Sequence, residues 1–225
     1  MILGVTRKEL YSCCLSGCIR ILIALVPNSS RGCETAEIWG LVKDSTTGPS
    51  NVIKETSNYE SDLKTISQSL DWIGVNYYTR SVIKYRNSND GVNYQCIRGN
   101  LKKTDMDWEF FPEGLGYFLR RIKYEYDSKI PIYVTENGMA NIDQINIKNE
   151  ILDEDRIEYF QLHLDELSKC LKEEISLKGY FAWSLLDNYE WSFGYEKRFG
   201  LVHINYENFK RTPKSSYYQF KKYLN

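Results

Sequence analysis

Ile130-Pro-Ile-Tyr-Val-Thr-Glu-Asn-Gly138 is the stretch on which the fold turns. Its first six residues, Ile130 to Thr135, read as a short buried strand, and they deliver a carboxylate and an amide at their end. Upstream, Pro112 and Glu113 open a helix to about Tyr126, with proline in the first turn, where its missing N–H costs little. Downstream, Asp153 to Glu174 is the strongest helix of the chain. Ile157, Phe160, Leu164, Leu167 and Leu171 follow a 3-4-3-4 spacing that makes one apolar stripe. Asp155 and Glu158 stand at capping-box spacing, and His163, within the same helix, reads as a solvated position. Lys169, Lys172, Glu173 and Glu174 read as a solvated face.

Further out, Trp72 to Thr79 and Tyr180 to Leu186 read as strands, and Ser61 to Leu70 as a short helix. Ser81 to Tyr85 and Val92 to Cys96 flank Asn89-Asp90-Gly91, a hairpin signal. Pro213 opens a last helix with Tyr217, Phe220 and Leu224 on one side. Strand and helix therefore alternate, which predicts parallel strands joined by helical crossovers. Functional groups in such folds gather where the strands end. Here the strand ends carry Asn76, Tyr77 and Tyr78, then Glu136 and Asn137, then Trp183, Asp187 and Glu190-Trp191. Carboxylates and amides bond hydroxyls, and indole and phenol faces pack on pyranose C–H surfaces. That combination describes a sugar site.

Composition narrows the class. The chain has 225 residues, 42% hydrophobic and 26% charged, which is globular rather than disordered composition. Twenty-nine basic residues against thirty acidic ones leave a formal charge of −1, so nothing global draws it to nucleic acid or anionic membrane. Aromatic residues reach 14%, enough for an aromatic-lined site, although a tyrosine-rich core gives the same count. Cys13, Cys14, Cys18, Cys33, Cys96 and Cys170 form no Cys-x-x-Cys pair and have no histidine close by in sequence. That argues against zinc, and reduced thiols in a cytoplasmic protein are the plainer reading. No metal or other cofactor is expected. The apolar run Ile19 to Val26 is too short for a membrane helix and has no clean cleavage site behind it, so it reads as a buried strand. Residues 1–58 are otherwise an amino-terminal segment of uncertain kind, with Asp44 to Ser50 a turn-rich connector.

At Tyr133-Val-Thr-Glu-Asn-Gly138 the chain resembles the nucleophile motif of family 1 glycoside hydrolases, the β-glucosidase and β-galactosidase family. Gly74-Val-Asn-Tyr-Tyr-Thr-Arg80, Trp183-Ser-Leu-Leu-Asp-Asn-Tyr-Glu-Trp191 and Lys197-Arg-Phe-Gly-Leu201 match the family in order and approximate spacing. Trp108-Glu-Phe-Phe-Pro-Glu-Gly-Leu115 resembles the segment ahead of the nucleophile, and the wording is closest to archaeal-type β-glycosidases. The likeness covers roughly residues 60 to 225. Ile21 to Ser30 is a weaker match to a preceding barrel strand.

The resemblance implies an α/β fold, the carboxyl-terminal half of a (β/α)₈ TIM barrel at about strands five to eight, filling residues 59–225. It implies retaining hydrolysis of β-glucosides or β-galactosides. Glu136 would be the nucleophile, Tyr78 its hydrogen-bond donor and Asn76 part of the same polar floor. Glu190 would accept from the sugar hydroxyls at ring positions 4 and 6, with Trp191 as the indole donor beside it. Trp183 would be the platform under the ring, Phe199 would close the pocket, and Trp108 would line the leaving-group side. Each has a plainer reading as well. Asn76 and Tyr78 could make structural hydrogen bonds, and Trp183, Phe199 and Trp108 could be core aromatics.

One half of the chemistry is missing. Retaining glycosidases use two carboxyl groups about 5–5.5 Å apart, one as nucleophile and one as acid/base. The family draws the second from an Asn-Glu-Pro motif on an earlier strand, and no Glu-Pro pair exists in this chain. Asn149-Glu150 is followed by Ile151 and comes after the nucleophile. The first 20 residues are expected to lie outside the family sequence, as in a truncated or frame-shifted reading frame. Two readings follow: a β-glycosidase that works only with its other half, or an inactive fragment that at most binds sugar. Exposed sheet edges would drive self-association or pairing with a separate amino-terminal half.

Overall fold

The computed structural model describes residues 19–20, 70–85, 94–126 and 129–224. The expected helix Ser61 to Leu70 (apart from Leu70), the hairpin turn at Asn89-Asp90-Gly91, Ile21 to Val26 and Cys13, Cys14, Cys18 and Cys33 lie outside them.

The chain folds as an incomplete α/β, barrel-like domain. A four-stranded sheet runs in the order β1 (Ile19–Arg20), β2 (Ile73–Tyr77), β5 (Ile132–Asn137), β6 (Leu177–Ala182). The pairs β2–β5 and β5–β6 are parallel, as the alternating pattern predicts. Helix α1 (Pro112–Arg121) continues as a π-turn over Ile122–Tyr126 and crosses from β2 to β5. Helix α2 (Glu154–Lys172) crosses from β5 to β6. Two antiparallel pairs, β3 (Val82–Tyr85) with β4 (Tyr94–Ile97) and β7 (Val202–Ile204) with β8 (Arg211–Pro213), sit outside this sheet. Helix α3 (Ser215–Lys221) closes the described chain.

Alternation along each strand sorts its two faces. Ile73 and Val75 from β2, and Ile132 and Val134 from β5, pack against Leu115 and Leu119 of α1 and Leu167 of α2. The opposite face carries Asn76 and Thr135, joined by a hydrogen bond of 2.6 Å from the Thr135 hydroxyl to the Asn76 side-chain oxygen. The sheet thus turns its apolar side to the helices and its polar side away from them.

Several expectations are corrected. Strand β1 pairs antiparallel with β2, Ile19 opposite Tyr77, whereas a barrel strand preceding β2 would run parallel. The sheet is therefore mixed. Strand β6 occupies Leu177–Ala182 rather than Tyr180–Leu186. The apolar run continues past Ala182, but the backbone leaves the ladder there: the Ser184 N–H bonds the Phe199 carbonyl and only Leu186 bridges Val202. Pro213 ends β8 instead of opening α3.

The buried face of α2 is also turned from the predicted stripe. Tyr159, His163, Glu166 and Cys170 are buried with Phe160 and Leu167, whereas Leu171 is exposed. Asp155 and Glu158 do not cap the helix; both reach Lys102, while Asp153 takes the N-cap position. Glu173 is not merely solvated, since it binds Arg120 at 2.7 Å.

His163 has no exposed surface, stacks on Tyr159 with centroids 4.0 Å apart, and has a ring nitrogen 2.8 Å from the Tyr159 carbonyl. Burial lowers its pKa to about 4 from an ordinary 6.5. Between those values the unfolded chain binds a proton that the folded chain refuses, so stability falls as pH drops from about 6.5 to about 4. The group should account for a loss of about 3 kcal/mol across that window. Urea unfolding at pH 7 and at pH 4.5 should show a smaller difference in His163→Gln than in the parent chain. An unchanged difference would remove His163 from the acid response.

Candidate functional site

A bulge sets the site. Residues of β2 and β5 stay in step from Ile73–Ile132 to Val75–Val134, then the register shifts and Asn76 stands opposite Glu136. The extra residue, Thr135, turns to bond Asn76, and the bulge re-aims the strand end, a common use of bulges beside functional residues. Glu136 is thereby brought to Tyr78, whose hydroxyl donates to its Oε2 at 2.6 Å.

Two further rings pack around Tyr78. Tyr78 lies 5.4 Å from Trp108 and 6.2 Å from Phe199, and those two are 6.0 Å apart. Phe199 is buried, and Trp108 and Tyr78 are half-buried. Burial first, then the hydrogen bond to Glu136 and the charges of Glu136 and Glu190, push the Tyr78 hydroxyl well above the ordinary tyrosine range. The phenol therefore stays protonated and remains a donor to the carboxylate. The same field places Glu190 within electrostatic reach of the Tyr78–Glu136 pair.

The loop after β6 brings the other sugar-site candidates. Trp183 is half-buried; its N–H bonds the Asn137 carbonyl at 2.8 Å, and its own carbonyl lies where a Cβ on Gly138 would sit, 1.8 Å away. Only glycine fits at that point. Glu190 is tied into a tight turn by a 2.7 Å bond from its N–H to the Gly194 carbonyl. Trp191 opens the 3-10 turn Trp191–Phe193 and stands exposed. Glu136, Tyr78, Trp108 and Phe199 are thus in one cluster. Asn76 joins through Thr135, Trp183 through Gly138 and Glu190 through its charge, while Trp191 follows Glu190 on the exposed 3-10 turn.

Sequence reasoning missed what holds these pieces. Asn137 is fully buried and uses its whole amide: it donates to the Tyr77 carbonyl at 2.7 Å and the Tyr159 hydroxyl at 3.1 Å, and accepts from Tyr180 at 2.6 Å. Tyr159 donates in turn to the Tyr78 carbonyl at 2.7 Å. Behind the Glu190 loop, Asp187 accepts from the Gly200 N–H at 2.9 Å, from Lys214 at 2.9 Å and from Arg198 at 3.2 Å. Lys214 also binds Asp143, and Arg156 binds Asp143 and Asp153, with the Lys214 and Arg156 side chains fully buried. Burial and the nearby Arg156 charge lower the Lys214 pKa against the pull of the two aspartates. Glu109, also buried, ties Arg80 at 2.7 Å to the segment that carries Trp108.

Among the described residues no group of three or more histidine, cysteine, aspartate or glutamate side chains could hold a metal, and no helix is long and apolar enough to cross a membrane. Among them, too, Tyr78 is the hydrogen-bond partner of Glu136.

Comparison with known proteins places the chain among others. The family model described as glycosyl hydrolase family 1 matches residues 43–225. A 1,4-beta-D-glucan glucohydrolase of Thermotoga neapolitana is 40% identical over 163 residues, 72% of this chain and 36% of its own length. A 6-phospho-beta-galactosidase of Leptotrichia buccalis is 36% identical, covering 72% of this chain and 38% of its own. The solved family 1 β-glucosidase of Thermotoga maritima superposes with a TM-score of 0.71 at 37% identity, covering 75% of this chain and 38% of that one. The chain spans less than half the length of these relatives.

Proposed function

The chain belongs to glycosyl hydrolase family 1, and we propose that it carries the nucleophile half of a retaining β-glycosidase site, which alone holds a β-linked sugar but does not complete hydrolysis. The observation that carries this reading is the Glu136–Tyr78 contact, set at the ends of parallel strands with Trp108 and Phe199 packed on Tyr78. Glu136 is the nucleophile: its carboxylate attacks the anomeric carbon and the aglycone departs with the bonding electrons. Tyr78 fixes the attacking carboxylate by its donated bond, and Asn76 belongs to the same polar floor. Trp183 supports the ring, Glu190 accepts from hydroxyls at ring positions 4 and 6, Trp191 donates beside it, Phe199 closes the pocket and Trp108 lines the leaving-group side.

What the chain lacks is an acid. A departing alkoxide must be protonated, and the Glu-Pro that would supply the second carboxylate is absent from the sequence. Residues 59–225 then correspond to the second half of a (β/α)₈ barrel. Pairing with a first half is favoured by the edge of the sheet. Phe181 and Leu185 are exposed at 57% and 59% beside an apolar groove between β6 and α3 of about 440 Å³. With that half in place, the same residues serve hydrolysis of β-glucosides or β-galactosides.

Sugar recognition is testable without turnover. Deoxynojirimycin should bind in a calorimetric titration, and Glu190→Ala should weaken it by about 1.5–3 kcal/mol, the worth of a hydrogen bond to a charged group. Unchanged affinity in Glu190→Ala would take the sugar site away from this loop.

A further inference from the structure

We propose that Asn137–Gly138 is a latent deamidation site that the fold of the half-site holds shut. It is the one Asn-Gly pair in the sequence, and neither residue is free to vary. Gly138 is imposed by the Trp183 carbonyl, which occupies the place of any Cβ at 1.8 Å. Asn137 is imposed by its three partners, the Tyr77 carbonyl, the Tyr159 hydroxyl and the Tyr180 hydroxyl. The labile pair is therefore a by-product of how the nucleophile's strand is anchored.

In the reaction the backbone nitrogen of Gly138 attacks the side-chain carbonyl carbon of Asn137, the C–N bond of the carboxamide breaks, and ammonia leaves. Water then opens the resulting succinimide to aspartate or isoaspartate. Glycine favours the step because no side chain hinders the attacking nitrogen. The attack requires the carboxamide to swing onto the following peptide. In the native chain it is fully buried and pinned at both its oxygen and its nitrogen, with the strand extended through Asn137. Only an opened state can react.

The product cannot refill the site. A carboxylate at position 137 sets an acceptor against the Tyr77 carbonyl, where the amide donated at 2.7 Å, and adds a negative charge next to Glu136. Isoaspartate also inserts a methylene into the backbone just before the Gly138–Trp183 contact. Each opening of the sheet thus risks a one-way loss of the half-site, and whatever covers the sheet slows it.

The test incubates the full chain at pH 8 in buffer and in urea and maps the products by mass spectrometry, with isoaspartate resolved by electron-driven fragmentation. Position 137 should deamidate more slowly in the folded chain by roughly tenfold or more, since reaction proceeds only through opening. Tyr180→Phe and Tyr159→Phe, each checked for folding by circular dichroism, should raise the native rate at 137 and leave the other asparagines unchanged. Equal rates in buffer and urea, or no acceleration in either variant, overturns the proposal. A second arm rests on the proposed function: the fraction of chain that an activated 2-deoxy-2-fluoro glucoside labels at Glu136 should fall in step with deamidation. Because the mapping needs no sugar, failure of labelling alone indicts the glycosidase reading and not the latent site.

Discussion

Glu136→Ala should abolish covalent trapping by 2,4-dinitrophenyl 2-deoxy-2-fluoro-β-glucoside. The parent chain should gain one fluoroglucosyl group on the peptide that contains Glu136. The dinitrophenolate leaves without protonation, so the lack of an acid proposed above would not matter for this step, and the electron-withdrawing fluorine slows release of the trapped sugar. Attack still needs a carboxylate within reach of the anomeric carbon, held by the 2.6 Å bond from Tyr78. On the proposed reading Glu136 forms that bond, so the loss should be complete rather than partial. Tyr78→Phe keeps the carboxylate but not the bond that positions it, and should slow trapping by up to about 10²-fold, as misplacement of a reacting group does. Intact-mass analysis over time reads both. Labelling that survives Glu136→Ala at the same rate would place the nucleophile elsewhere.

The second large effect concerns stability. Lys214→Met keeps most of the side-chain volume but strips the cation from between Asp143 and Asp187, where the Lys214 side chain has no exposed surface. Breaking a buried pair typically costs about 3–5 kcal/mol, because the remaining charge has no solvent to turn to. A domain of ordinary stability has only about 5–15 kcal/mol in total, so the variant should unfold at much lower urea. Lys214→Met combined with Asp187→Asn should recover part of the loss, since one stranded charge is gone. The lysine also ties the Glu190 loop through Asp187, so sugar binding should weaken with stability. A change under about 1 kcal/mol would mean that the cluster is no more than a solvated surface pair.

That cluster shows why part of the site was illegible. Asp153 and Arg156 are three residues apart at the start of α2, but Asp143, Asp187, Arg198 and Lys214 reach them from distant parts of the chain, and no local pattern of charge announces that they meet. The stripe on α2 misled for a related reason. Apolar spacing counts Leu171 and passes over His163 and Glu166, yet the tertiary contacts bury the latter two and expose the former. Strand β6 lies earlier than the apolar pattern predicts, because hydrophobicity runs on through Trp183 to Leu186, while the hydrogen bonds that define the ladder stop at Ala182. What could be read were the strand ends. Asn76, Tyr78 and Glu136 each follow an apolar run within a few residues, and the parallel ladder brings them to one edge. Trp108 and Phe199 were legible only through the motifs, because both reach Tyr78 from loops with no periodicity of their own. Asn137 stood beside Glu136 in the motif, but its three buried partners could not be read from spacing.

The most direct measurement compares leaving groups on the isolated chain. General acid assistance typically contributes about 10²–10⁴-fold and matters most for poor leaving groups. A chain with the nucleophile and no acid should release dinitrophenolate in the trapping reaction and leave cellobiose intact over the same hours, as read by glucose release. Ready hydrolysis of cellobiose by the chain alone would contradict the account, because it would require an acid/base carboxylate that the half-site is held to lack.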